Sequence, residues 1–421
     1  MEKIAFLFPG QGSHFVGMGK TLYDQFEIAK QTFEEANDVL GFDLANLCFN
    51  GSLLELNKMQ NMFPALLVSS VASFRVYIQE IGVLPQFCAG HSLGEYPALT
   101  CAGVISYADA LKMVRLRGVL AQELADSGVG AMTILDGVDV EIVAEACKKA
   151  SSSEETAFIS CYNSPNQVSI SGHPQAVQRV EDMAQEVGGQ ISPLIGGAPF
   201  HSPLMNDIAE KFRIELDGYT YGTFRYPVIS NVHARPYGDP ENVADLLAKQ
   251  LISPVQWQKT MQYLQKFGIT IAIEMGPKNV LSNLVTANAP EIEALCFGQK
   301  EDRRALIDYF SKHEQLRKHV PTVITRCLAI AVATPNTNWN QEEYQKGVIK
   351  PYRRIQTIQD ELDRTGERPT IEQMREALEM LKSILATKRV PVREQIEWFN
   401  QIFDETGTNY LFKDFELSKE E

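Results

Sequence analysis

A chain of 421 residues with 44% hydrophobic content is long enough for two or three domains and a sizeable core. Its formal charge of -14, about -12 of it before residue 300, argues against nucleic-acid binding and against a basic membrane-surface patch, because both need clustered Lys and Arg. The seven cysteines are scattered and odd in number, and the start MEKIAFLF is too short for a signal-peptide core. The expectation is a reduced, cytoplasmic protein without structural metal or membrane span.

In chain order, the apolar run Ile4 to Phe8 reads as a buried strand that enters the turn FPGQG. A helical pattern over Phe63 to Gln79 follows, then a buried strand around Phe87 to Ala89 and a helix over Tyr107 to Leu124. This alternation predicts an α/β core with a mostly parallel sheet. From about residue 130 the rhythm changes: AMTIL, a helix over Val140 to Ala150, AFISCY, the turn NSPN, QVSIS, a helix over Pro174 to Val187, and ISPLI. The order β-α-β-β-α-β is the ferredoxin-like signature. The predicted organisation is a large core of residues 1–127 and 198–300, an inserted ferredoxin-like subdomain of 128–197, and a helical C-terminal extension of 301–421. In that extension Thr370 and Gln373 have capping-box spacing, and Ile371, Met374, Leu378, Leu381 and Leu385 share a helix face. A second stripe carries Ile396, Phe399, Ile402 and Phe403.

GHSLGEY fits G-x-S-x-G, a strand-to-helix turn whose small flanking residues leave Ser92 exposed at the strand end. A serine there is placed to act as nucleophile, and the backbone N–H of Leu93 to receive an oxyanion. Of the histidines that could serve as its base, His313 and His319 sit in a charged stretch, His173 lies at a subdomain turn and His14 is close to the first loop. His201, in GAPFHSPLM where the core resumes, is the best candidate.

The ordered set FPGQGSHFVGMG, GHSLGEY, VRLRG, NSPNQVSISG, FHSPLM, PVQW and EMGPKNVL resembles the malonyl-CoA:acyl carrier protein acyltransferase family over roughly residues 1–300. The resemblance implies an α/β-hydrolase-like core, Ser92 as nucleophile and His201 as base. It implies Arg117 as a carboxylate clamp and an oxyanion hole made of the Gln11 and Leu93 backbone N–H groups. The backbone carbonyl of Gln250 would orient the histidine in place of a carboxylate, leaving its side-chain identity of little consequence. Phe200 implies a malonyl rather than a methylmalonyl unit, although APFH departs from the commoner tetrad. Asn163 would line the cleft from the subdomain side or, equally well, form a turn.

The implied reaction is a ping-pong transfer of malonyl from coenzyme A to the phosphopantetheine thiol of an acyl carrier protein. Coenzyme A is then a substrate carrier, and no metal or redox cofactor is implied. The tail beyond residue 300 is similar to that of stand-alone enzymes serving polyketide or iturin-type lipopeptide synthases in trans. The alternatives are a housekeeping transacylase of fatty-acid synthesis, an acyl-carrier hydrolase, and a docking subunit with a vestigial site.

Overall fold

The computed structural model describes residues 2–194, 196–312, 322–408, 411, 412 and 415. His313 and His319 lie outside them, as does the last residue of ISPLI. The chain divides into two compact units, Met1–Phe74 with Pro85–Asp308, and Arg75–Leu84 with Tyr309–Glu421.

The first unit is built on a five-stranded, wholly parallel sheet of β1 (Ile4–Phe8), β2 (Phe87–Gly90), β7 (Val228–Ile229), β8 (Ile271–Glu274) and β9 (Glu293–Cys296), in the order β7-β2-β1-β8-β9. All five residues of β1 are buried, which is why that segment reads as an unbroken apolar run rather than an alternating one. Loops at the carboxyl ends of β1 and β2 therefore lie side by side, the usual place for a site in an open parallel sheet.

The second sheet is antiparallel, with β3 (Ala131–Asp136), β4 (Ala157–Ser164), β5 (Gln167–Gly172) and β6 (Gln190–Pro193) in the order β4-β5-β3-β6. That is the ferredoxin-like order, with the helices Val140–Ala150 and Pro174–Glu186 over a shared apolar core. The small sheet is also tied to the segment after the Val243–Ile252 helix. There Tyr162 N–H donates to the Val255 carbonyl at 2.9 Å and Val255 N–H to the Ser160 carbonyl at 2.9 Å.

The second unit is helical, and its principal members are Val323–Ala333, Lys350–Thr365, Ile371–Thr387 and Val392–Thr406. Thr370 and Gln373 form the expected reciprocal capping box, and Ala377, Leu378, Leu381, Ile384, Phe399 and Ile402 are fully buried. The first member of each predicted stripe is not: Ile371 and Ile396 sit near the helix entries and are exposed. Residues 75–84 group with this unit rather than with the core where the sequence reading puts them. Arg368 Nη2 donates to the Glu80 carbonyl at 3.0 Å, and the α-carbon of Gly407 sits so close to Ile78 that an added Cβ would come within 3.4 Å of its side chain. Those residues end the Met59–Glu80 helix, which by length and composition could cross a membrane but is almost wholly buried here.

Candidate active site

The turn between β2 and the Glu95–Cys101 helix is tight enough that a Cβ on Gly94 would lie 1.8 Å from the Phe8 carbonyl. Only glycine permits that approach, and it brings the elbow against the end of β1. Ser92 sits at its apex with φ 52°, in the left-handed region that costs a residue with a side chain ~1–2 kcal/mol.

His201 reaches Ser92 from the loop before the Asn206–Leu216 helix, also at positive φ, 62°. Its Nε2 is 2.7 Å from Ser92 Oγ, and its Nδ1 is 2.7 Å from the carbonyl of Gln250. A carbonyl only accepts, so Nδ1 carries the proton and Nε2 is free to accept from the serine hydroxyl. Burial first, and the positive charge of Arg117 second, hold the imidazole down at about 3, so it is a neutral base at ordinary pH.

Arg117, on the Tyr107–Asp126 helix, is 1% exposed and directs Nη2 to Ser92 Oγ at 3.2 Å. Its guanidinium carbon is 4.9 Å from the ring centre of Phe200, 5.3 Å from Phe63 and 5.4 Å from Tyr96. Nε and Nη1 are buried without a hydrogen-bond partner. Three aromatic faces stabilise the cation without using its donors, which leaves a charged fork aimed at the serine. Phe200 itself is buried, and its carbonyl accepts from Ser171 Oγ at 2.8 Å.

Gln11 lies in the turn that leaves β1, after Pro9 and Gly10, and Gly10 packs on the elbow. A Cβ at Gly10 would come within 2.6 Å of the His91 carbonyl and 3.6 Å of Leu93 N. Leu93 lies in the one-turn helix Ser92–Gly94, whose first N–H groups have no acceptor inside the turn. The two loops that carry the expected oxyanion donors are thus in contact.

Two sequence expectations change. Asn163 is on β4, not in a turn, and its side chain is committed: it lies 2.9 Å from His91 Nε2 and donates to Ser169 Oγ at 3.3 Å. A strand position beside the elbow, rather than loop freedom, determines what it touches. The side chain of Gln250, expected to matter little, is fully buried and donates Nε2 to the Ser92 carbonyl at 2.9 Å and to the Glu95 carboxylate. The reason is that the helix carrying it packs its inner face beneath the elbow.

Sequence reasoning missed Glu95, Asn231 and Tyr237. Glu95 is fully buried; it accepts from Tyr237 Oη at 2.7 Å and from Asn231 N–H at 3.1 Å. Burial raises its carboxyl to about 7 against the pull of those donors. Asn231 accepts from Ser92 N–H at 2.6 Å and donates to the Gly90 carbonyl at 2.5 Å. An acidic residue inside the run EYPAL, which is otherwise apolar but for Tyr96, was the available signal.

Residues 5–297 match the family described as the acyl transferase domain. A malonyl CoA-acyl carrier protein transacylase of Bacillus subtilis is 37% identical over 94% of this chain and 99% of its own length. The protein of that name from Escherichia coli strain K12 is 41% identical over 68% of this chain and 92% of its own. Among solved structures, the malonyl-transacylase of a complex with its type II PKS acyl-carrier protein superposes with TM-score 0.71 at 37% identity, covering 73% of this chain and all of that one. An acyl carrier protein S-malonyltransferase from Vibrio cholerae does so with TM-score 0.69 at 39% identity, over 72% of this chain and all of its own. With a Ser-His pair at the same elbow that its motifs mark, the chain belongs to the malonyl-CoA:acyl carrier protein acyltransferase family and is an acyltransferase.

Proposed function

We propose that this enzyme takes malonyl from malonyl-CoA onto Ser92 and passes it to the phosphopantetheine thiol of an acyl carrier protein. The observation that carries the reading is Arg117: a buried guanidinium beside the serine, with two of its nitrogens unpartnered, suits an acyl chain that ends in a carboxylate. An apolar acyl group would leave that fork unsatisfied.

In the first half-reaction Ser92 Oγ attacks the thioester carbonyl while His201 Nε2 takes its proton, and the Gln11 and Leu93 N–H groups receive the developing oxyanion. The C–S bond breaks, the proton on His201 passes to the coenzyme A sulfur, and a malonyl-serine ester remains. In the second half the carrier thiol gives its proton to His201 and attacks the ester, and Ser92 recovers its hydrogen as it leaves. Coenzyme A and phosphopantetheine serve as carriers, and the chemistry comes from side chains and backbone. The Phe200 ring beside Arg117 fills space that an α-methyl would need.

The finer reading is service in trans to a polyketide or lipopeptide synthase. It is supported by the two relatives from one species: the first B. subtilis protein follows this chain through its helical unit, whereas the transacylase of B. subtilis strain 168 matches 68% of this chain and 90% of its own length. A second, longer form beside a short one suits a separate duty.

The test is incubation with malonyl-, methylmalonyl- and acetyl-CoA and a phosphopantetheinylated carrier, followed by intact-mass measurement of both proteins. Malonyl adducts on wild type that vanish in Ser92→Ala are expected. Release of free malonate without carrier loading would favour a hydrolase, and equal loading by acetyl-CoA would overturn the role of Arg117.

A further inference from the structure

We infer that Gln250, Asn231 and Glu95 act as one positioning unit that holds the nucleophile in its left-handed conformation and fixes its backbone to its base. The inference rests on the reading of Ser92 as nucleophile and His201 as base.

The geometry is closed on all sides. Asn231 brackets the elbow, accepting from Ser92 N–H at 2.6 Å and donating to the Gly90 carbonyl at 2.5 Å, so residues 90–92 cannot relax to extended backbone without breaking both bonds. Gln250 spans the pair: its main-chain carbonyl holds His201 Nδ1 at 2.7 Å and its side-chain Nε2 holds the Ser92 carbonyl at 2.9 Å. Glu95 ties these two residues together, accepting from Gln250 Nε2 through one oxygen and from Asn231 N–H and Tyr237 Oη through the other. Glu95, Asn231 and Gln250 are all buried, and none of their side-chain bonds reaches Ser92 Oγ. They are positioning residues. Ordinary connectivity would let the serine and histidine loops drift independently, and a misplacement of 1 Å can cost ~10²-fold in rate.

The informative variant is Gln250→Met, which keeps the main-chain carbonyl on His201 and removes only the side-chain donor. Single-turnover acylation of Ser92 by malonyl-CoA is expected to slow by about 10- to 100-fold. KM for malonyl-CoA should stay within about twofold, because Arg117 is untouched, and labelling by a fluorophosphonate serine reagent should slow in parallel. Asn231→Ala should show the same split, and it carries the test if the Met variant does not fold. The double variant should be little slower than either alone, since residues acting as a unit lose their effect together. Wild-type acylation rates in folded Gln250→Met and Asn231→Ala would overturn the unit. So would losses that multiply in the double variant, or a raised KM with kcat preserved. Failure of the underlying reading is separate, because it would show as malonyl labelling that survives in Ser92→Ala.

Discussion

Arg117 in the first unit and Lys388 in the helical one are both buried cations, and the two are treated in opposite ways. In the helical unit Lys388 is 5% exposed and spends its ammonium on the carbonyls of Ala331 at 2.6 Å and Thr334 at 2.7 Å, with Thr334 Oγ1 at 3.4 Å. It closes the carbonyl end of the Val323–Ala333 helix, where positive charge and donors are both favourable. In the acyltransferase unit Arg117 is as deeply buried, yet two of its nitrogens have no acceptor and the third touches only the serine hydroxyl. A buried donor left unpaired costs about 1–3 kcal/mol. The contrast is between a charge whose donors are spent on the fold and one whose donors stay open at a cost.

Exchanging each cation for an apolar isostere tests that contrast. Arg117→Met should cut malonyl transfer to the carrier by ~10²- to 10³-fold, the scale for losing a charge-stabilising donor, while the Tm holds or rises. Mass measurement of carrier loading together with a thermal melt checks it, and a large fall in Tm would make Arg117 structural. Lys388→Met should do the reverse. Stranding the Ala331 and Thr334 carbonyls costs about 1–3 kcal/mol in stability, with Ser92 acylation by malonyl-CoA unchanged in the folded protein.

How much of this was readable beforehand depends on the range of the interaction. The parallel core, the ferredoxin-like insert, the elbow and the capped Ile371–Thr387 helix follow from local periodicity and spacing, so their positions agree with the sequence to within a few residues. Ser92 announces itself by two flanking glycines, whereas His201 is picked out by where it falls in the chain and by the FHSPLM motif of the resemblance. Asn231 and the side chain of Gln250 are invisible for a different reason. Their partners lie 139 and 158 residues away, and neither residue type carries a charge that would look out of place. Glu95 does carry a charge within an apolar run, but a glutamate at the start of a helix is ordinary and draws no notice.

Two smaller effects refine the comparison around Arg117. Phe200→Ala should raise methylmalonyl relative to malonyl loading by about 10- to 200-fold, the worth of one methyl in a pocket, read from competition between the two donors by mass. The last concerns pH. His201 is held near 3 in the folded protein against an ordinary 6.5, so the unfolded chain takes up a proton first and stability is lost as pH falls below about 6.5. Burial is the larger cause and Arg117 the second, so Arg117→Met should move the imidazole upward and make that acid loss shallower. NMR titration of the His201 ring, with melts from pH 7 to 4, measures both; an unmoved ring would mean the two groups are not electrically coupled.

The bonds that join Val255 to β4 belong to the same short segment that begins at Gln250 and whose Leu251 carbonyl accepts from His201 N–H at 2.8 Å. One strap therefore fastens His201 at one end and the small sheet at the other. Anyone exchanging the ferredoxin-like module between acyltransferases to alter what they load should treat residues 250–257 as part of the graft. Cut at the visible borders of the module alone, a chimaera would inherit a strap shaped for one sheet and asked to seat another, and the mismatch would surface as a displaced histidine rather than as a failed interface.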